Sequence, residues 1–362
     1  MIVQGEGPQH SGQAADKARQ ADTALVTVPE PTLRALQYYR SGNVLWGAGT
    51  VLGFLLPALL LWTGWSARLR TLALRIGRRW LPSLMIYALL LTAVMALLGL
   101  PFSFYAGFVR QHAYGLSSQT LEKWAADWVK GVVVSGIGLA LVLWIPYLLL
   151  RKSPRRWWLY AGLATIPVTT LVLVVSPILI DPLFNDFGPL RDRSLERRIL
   201  ALAHRAGIPE SRVFQVNKSV DTKRVNAYVT GLGETKRIVL WDTLLDKLEP
   251  DQIAFVVAHE MGHFVLRHVL SQIALATALA LTSLYLIHQV AGRLIRRFGH
   301  RFGLTQLSDP ASLPLLLLLG TAVSFVTTPL MLAFSRHQEH EADRFALELT
   351  RDNRAGATAF VR

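Results

Sequence analysis

The sequence predicts a mainly α-helical, polytopic membrane protein: about six transmembrane helices and, between the fourth and fifth, a small α+β domain ending in a metal-binding helix. Three observations predict it. The 362 residues are 52% hydrophobic and only 17% charged, with a mean hydropathy of +0.34, too apolar for an ordinary soluble domain. Six apolar runs, at about 44–64, 81–100, 131–150, 158–180, 269–291 and 312–334, are each long enough to cross a bilayer. One polar motif, His259-Glu260-Met261-Gly262-His263, interrupts an otherwise apolar run from Ile253 to Leu266.

Residues 1–30 are polar, without an apolar core, and read as a disordered tail and not as a signal peptide. Residues 31–180 hold spans one to four and their loops. Trp62, Trp65, Trp80, Trp144, Trp157 and Trp158 lie near span ends, as interfacial anchors do. Pro57, Pro146, Pro167, Pro177 and Pro329 fall inside spans, where neighbouring helices tolerate the kink. The net charge is +14, but its arginines cluster in short segments between apolar runs, which indicates topology and lipid headgroups and excludes nucleic acid as a partner. Arg68, Arg70, Arg75, Arg78 and Arg79 follow span one, Arg151, Lys152, Arg155 and Arg156 follow span three, and Arg293, Arg296, Arg297 and Arg301 follow span five. These three loops share one face, cytoplasmic by the positive-inside rule. Everything else, including His259 and the segment after Phe334, falls on the opposite face.

Residues 181–268 form the one sizeable extramembrane piece. Leu195, Ile199, Leu202 and Ala206 recur at helical spacing over 192–206, stopped by Gly207 and Pro209. Three segments, 212–216, 225–230 and 237–241, read as strands, the last two joined as a hairpin through Gly231-Leu232-Gly233-Glu234. Glu249-Pro250-Asp251 opens the motif helix, with proline and acid in the first turn. Unbroken to Ala291, that helix would be roughly 60 Å long, about twice the hydrocarbon thickness. Either the metal end projects beyond the bilayer centre, or the helix breaks, near Arg267 and His268. Residues 269–334 hold spans five and six, and 335–362 a final helix.

Positions i and i+4 stack on one helical face, so His259 and His263 can offer two imidazoles to one metal ion, with Glu260 beside it to take a proton from water. Burying these groups among Phe255, Val256, Val257, Met261 and Phe264 is costly without a compensating ion. With no cysteine in the chain, a third protein ligand must be His, Asp or Glu. The first polar stretch after span six, Ser335 to Asp343, supplies candidates. Glu339 and Asp343 share one helical face, on which one can bind metal while the other orients an imidazole; His337 with Glu341 forms a competing face, and spacing does not choose between them. His10, His112, His204, His268, His288 and His300 have no ligand-spaced partner and are assigned to tail, loop or interface positions.

His-Glu-Met-Gly-His, followed after two spans by Ser335-Arg336-His337-Gln338-Glu339-His340-Glu341-Ala342-Asp343, resembles the type-I CAAX prenyl proteases, intramembrane zinc metallopeptidases that are more distantly related to HtpX-type membrane proteases. Tyr114 to Thr120, Pro182 to Asn185, Asn226-Ala227-Tyr228 and Arg237 to Leu240 carry the resemblance further, which runs from about Leu33 to the last residue. It implies helices enclosing a water-filled chamber, one Zn2+ per chain held by His259, His263 and Glu339, Asp343 supporting a histidine, and Glu260 as catalytic base. It also implies a peptide or protein substrate, membrane-associated or lipid-modified. The strand containing Asn226, Ala227 and Tyr228 is expected to take an extended substrate peptide along its edge, and Arg336 to hold a carboxylate.

The family has further helices after this point that add a histidine, so a truncated C-terminus is expected; eukaryotic members also have one more N-terminal span. The arginine count places the site on the face opposite the cytoplasm, which prenylated cytoplasmic substrates would not reach. A bacterial inner-membrane quality-control or processing protease acting from the outer face accommodates both facts; an HtpX-type protease cleaving misfolded membrane proteins is the nearest alternative among enzymes. A zinc-binding transporter or binding protein without peptidase activity is the reading from another class, and the intact Glu260 stands against it.

Overall fold

The computed structural model describes residues 26–209, 211–231 and 236–361. The expected polar tail, apart from its last five residues, lies outside the described residues, as do Leu232 to Thr235 of the expected hairpin turn. Six helices are long and apolar enough to cross a membrane. In chain order, α1 is Leu33–Trp62 and α2 the short Trp65–Gly77; α3 is Trp80–Ala113 and α4 is Leu121–Lys152; α5 is Trp157–Leu183. Then come β1 (Phe187–Pro189), α6 (Arg193–Arg205), β2 (Arg212–Val216), β3 (Ala227–Thr230), β4 (Arg237–Trp241), α7 (Asp242–Lys247), α8 (Pro250–Val265), α9 (His268–Phe302), α10 (Leu313–Thr350) and α11 (Asn353–Val361). The spans are α1, α3, α4, α5, α9 and α10.

The spans pack side by side in the cyclic order α1, α3, α4, α5, α9, α10 and back to α1, with a further contact between α1 and α9. A ring one helix thick leaves both its inner and outer faces without protein cover, and the most apolar windows of the spans are accordingly only 6% to 28% buried. Their contacts concentrate at the arginine-rich end. There Tyr87 and Tyr147 are fully buried, with Tyr87 Oη 2.7 Å from Ser66 Oγ and Tyr147 Oη 2.9 Å from Ser312 Oγ. Arg70 of α2 pairs with Asp309 before α10, fastening the first arginine-rich loop to the third.

The extramembrane domain carries a four-stranded sheet in the order β1-β2-β4-β3. β2 and β4 are parallel, whereas β1–β2 and β3–β4 are antiparallel, the latter being the hairpin expected from sequence. β1 was not legible beforehand: three residues, two of them Gly188 and Pro189, carry no strand signal. Leu195, Ile199 and Leu202 of α6 meet Val213, Ile238 and Leu240 of the sheet and Ile253, Val257 and Met261 of α8 in one buried core. Full burial stabilises by about 1.5–3 kcal/mol per large aliphatic side chain, so α8 is anchored along one face and leaves the other for chemistry.

Two boundaries define the site. The motif helix ends at Val265; Arg267 sits in the left-handed region (φ 58) and α9 starts at His268, so of the two arrangements open to so long a helix the broken one occurs. By contrast, the expected division of residues 269–334 from a separate ligand helix at 335 does not occur. No glycine or proline interrupts 330–350, and α10 runs unbroken from the membrane through Thr350. His268, assigned by sequence to a loop or interface, is a buried member of the first turn of α9.

Candidate metal centre

The face of α8 opposite its core packs on α10. Gly262 makes this approach possible: a Cβ there would lie 3.2 Å from Ala342 Cα and 3.1 Å from the Phe345 ring. The close approach brings the sequence-predicted residues together. His259 Nε2 is 3.2 Å from His263 Nε2 and 3.3 Å from Glu339 Oε2, and His263 Nε2 is 3.7 Å from the same oxygen. His259 Nδ1 lies 2.8 Å from Asp343 Oδ1. Glu339 and Asp343, one turn apart on α10, thus have different partners: one converges with both imidazoles, the other takes the far nitrogen of His259.

These residues fit a divalent cation. A carboxylate only accepts, so Asp343 requires His259 to carry its proton on Nδ1 and to direct the Nε2 lone pair into the cluster. That lone pair meets a second imidazole nitrogen and a carboxylate oxygen, a set one cation satisfies together. Tetrahedral Zn2+ with bonds of about 2.0–2.1 Å separates its ligand atoms by roughly 3.3–3.4 Å, close to the separations of 3.2, 3.3 and 3.7 Å found here. Two imidazoles and one carboxylate make a donor set suited to zinc with a position left open.

Burial, seconded by the charge of Glu339, pushes the Glu260 carboxyl up to about 7; a bound cation opposes that rise. Burial lowers the pKa of His263, as does its neighbour His259, while Glu339 opposes. Both shifts favour the neutral imidazole that a metal ligand needs. A cavity of about 330 Å³ opens beside His259, Glu339 and Asp343, walled by Phe255, Val256 and Phe360. A larger one, about 670 Å³, lies between α5, the sheet and the start of α9. It contains none of the cluster residues, and the chemistry belongs to the smaller.

Asn226, Ala227 and Tyr228 lie at the start of β3, the edge strand, which packs against α8. The Ala227 side chain is buried in the domain core, and Asn226 Oδ1 accepts from the Ala227 N–H at 2.9 Å. Burial, then the charge of Asp181, pushes the Tyr228 hydroxyl up to about 12. Arg336 is exposed and outside the cluster, with no ion pair among the described residues. Sequence reasoning missed His268 and the use of Glu341. His263 Nδ1 lies 2.8 Å from His268 Nδ1, and His268 Nε2 lies 3.4 Å from Glu341 Oε2, which His337 Nε2 also approaches at 3.5 Å. The helix break at Arg267 was the available signal, because it cancels the helical spacing by which His268 was dismissed.

A six-span ring with an HExxH helix docked on a carboxylate-bearing helix defines a membrane-integrated metalloprotease. Known proteins agree. Residues 189–362 match peptidase family M48, and residues 33–186 match the CAAX prenyl protease N-terminal domain, described as having five membrane helices, of which four here are long and apolar enough to span. The chain is 38% identical over 347 residues to the uncharacterized metalloprotease YhfN of Bacillus subtilis, covering 96% of this chain and 81% of that protein. It is 33% identical to a CAAX prenyl protease 1 homolog of Dictyostelium discoideum, covering 69% of this chain and 59% of the relative. The fold of Ste24p from S. mikatae superposes with a TM-score of 0.76 at 23% identity, covering 98% of this chain and 89% of that one. The chain belongs to the M48 peptidase family, as a multi-pass membrane zinc metalloprotease with the Ste24p-like fold.

Proposed function

We propose that this chain is a zinc metalloendopeptidase of a bacterial inner (cell) membrane that cuts peptide bonds in membrane-associated or lipid-modified proteins, with His259, His263 and Glu339 holding one Zn2+. The convergence of three lone-pair donors within 3.7 Å, next to a buried carboxyl, carries this reading. Bound there, zinc acts as a Lewis acid toward water and toward the scissile carbonyl. Glu260 is the proton carrier: its carboxylate takes a proton from the attacking water and delivers it to the departing amide nitrogen. A carboxyl near neutrality is suited to both halves of that task. Asp343 fixes the tautomer and ring orientation of His259.

The edge of β3 that has no strand partner receives the substrate as an added strand, so that Asn226, Ala227 and Tyr228 contribute through the backbone and, for Asn226, through its amide. With its side chain in the core, Ala227 offers only its main chain. Arg336, one turn before Glu339 and unpaired among the described residues, is placed to meet a substrate carboxylate. A second reading is quality control of unmodified membrane proteins, as HtpX-type proteases perform; the bias of the arginine-rich loops toward a cytoplasmic location supports a site out of reach of cytoplasmic lipid-modified substrates. Rates on one peptide with and without an attached lipid separate the two.

Glu260→Gln keeps all three ligands and removes the proton carrier. The variant in detergent or nanodiscs is expected to retain one Zn2+ per chain and to lose cleavage by about 10²–10⁴-fold. Cleavage at the parental rate would sink the mechanism, and a chain that binds no zinc would sink the metal assignment.

A further inference from the structure

We propose that His268, backed by Glu341, is a positioning residue for the metal centre: it fixes the tautomer and ring angle of His263 as Asp343 does for His259. This rests on His263 being a metal ligand. The four nitrogens involved admit one proton arrangement consistent with that role. Glu341 only accepts, so His268 carries its proton on Nε2, which faces Glu341 Oε2 at 3.4 Å. Neutral His268 then has its lone pair on Nδ1, 2.8 Å from His263 Nδ1. That nitrogen must donate, which leaves the His263 lone pair on Nε2, facing His259 and Glu339. Polarity set by a carboxylate on span six therefore passes through the first residue of span five to the metal site. The Nε2 contact with Glu341 is within ion-pair distance but is not a formed hydrogen bond; this buried nitrogen has no hydrogen-bond partner among the described residues, and Glu341 is the carboxylate within reach of a proton on it.

The contact depends on the broken helix. Residues five apart on a continuous helix are separated by about 140° around its axis, so His268 would point away from His263. The left-handed residue Arg267 turns the chain back and makes the two rings neighbours. The side-chain amide of Gln338, buried on α10, donates to the His268 carbonyl at 3.3 Å and to Ser271 Oγ at 2.8 Å, holding the turn against span six. His268 itself is only 3% exposed. A buried imidazole meeting one histidine and one carboxylate, at the one non-glycine left-handed residue next to the motif, is organised for orientation and not for packing alone.

The test uses the full chain in nanodiscs, with Zn2+ affinity read by competition against a chromophoric chelator and site geometry by the visible absorption of the Co2+ form. Asparagine places its amide oxygen near the position of Nδ1, whereas glutamine extends beyond it. His268→Asn should stay close to the parent; His268→Gln and His268→Leu should lose about 10–100-fold in affinity, with an altered Co2+ spectrum. Arg267→Gly, which keeps the left-handed turn, should bind like the parent, and Arg267→Val, which disfavours it, should follow His268→Leu. Equal affinities for His268→Asn and His268→Gln, both folded, overturn the proposal, as does parental affinity in His268→Leu. If His263→Ala also binds like the parent, the ligand assignment itself has failed, a separate result.

Discussion

Two imidazoles one helical turn apart converge on a single point only when something outside the helix holds the other nitrogen of each ring. For His259 that group is Asp343 at 2.8 Å. Motif spacing supplies the pair of rings but not their tautomers, which decide whether lone pairs or protons meet at the centre. The same applies to Glu260, whose carboxyl reaches about 7 because it is buried and because Glu339 stands near it, neither visible in its sequence neighbours. Gly262 is the narrowest tolerance at this scale. In Gly262→Ala the new Cβ meets Ala342 Cα at 3.2 Å, a backbone atom that moves only with α10. Zn2+ affinity and cleavage are expected to fall together as Glu339 and Asp343 are displaced. The gain in helix propensity, about 1 kcal/mol, offsets part of an overpacking cost of about 1–3 kcal/mol, so thermal stability should change little. Chelator competition and a melting curve check this, and unchanged affinity would show that α10 yields freely.

At the scale of elements, the candidate site is an agreement among three pieces: α8 with the motif, α10 with Glu339 and Asp343, and the start of α9. The domain carrying α8 is tied to the membrane part by an ion cluster. Asp221 accepts from Asn185 Nδ2 at 2.7 Å and pairs with Lys123 at 2.8 Å and Lys218 at 3.5 Å; Ser117 donates to its carbonyl. Burial by itself would raise the Asp221 pKa, but the hydrogen bonds from Asn185 and Lys123 and the nearby lysine charges outweigh it and hold the carboxyl below its ordinary range. A depressed folded-state pKa means the stabilisation is fully present above the ordinary carboxylate value and is lost as pH falls through it toward the folded value. Acidification below the carboxylate range should therefore loosen the domain from the ring, and Asp221→Asn should loosen it at neutral pH. Proteolysis between 185 and 225, followed across pH, reads both. An acid response identical in Asp221→Asn and parent would remove Asp221 from this role.

At the scale of the whole molecule, the ring of spans puts the candidate metal site at the end opposite the arginine-rich loops. Thirteen Arg and Lys residues in three loops set a strong bias toward a cytoplasmic location for that end. A topology reporter fused after Phe360 is therefore expected to give a non-cytoplasmic signal. A cytoplasmic signal would reverse the orientation and restore cytoplasmic lipid-modified substrates as the ones within reach.

Much of this was legible in the chain. Six apolar runs, the helix at 192–206, three of four strands and the shared helical face of His259 and His263 all follow from local periodicity, because hydrophobic burial and helix geometry act between near neighbours; the break at Arg267 was one of two outcomes that helix length allowed. The choice between the Glu339 and His337 faces needed a resemblance, since both satisfy the same spacing. β1, the continuity of span six past residue 335, and the position of His268 against His263 came from tertiary structure alone. Their common reason is physical: a three-residue strand exists only through its partner, and a left-handed turn at Arg267 undoes the periodicity by which sequence assigns faces. The sequence by itself determined that there is a metal-binding helix between membrane spans. Only the tertiary structure, through the packing of α8 on α10 at Gly262 and the turn at Arg267, decided that Asp343 meets His259 and His268 meets His263.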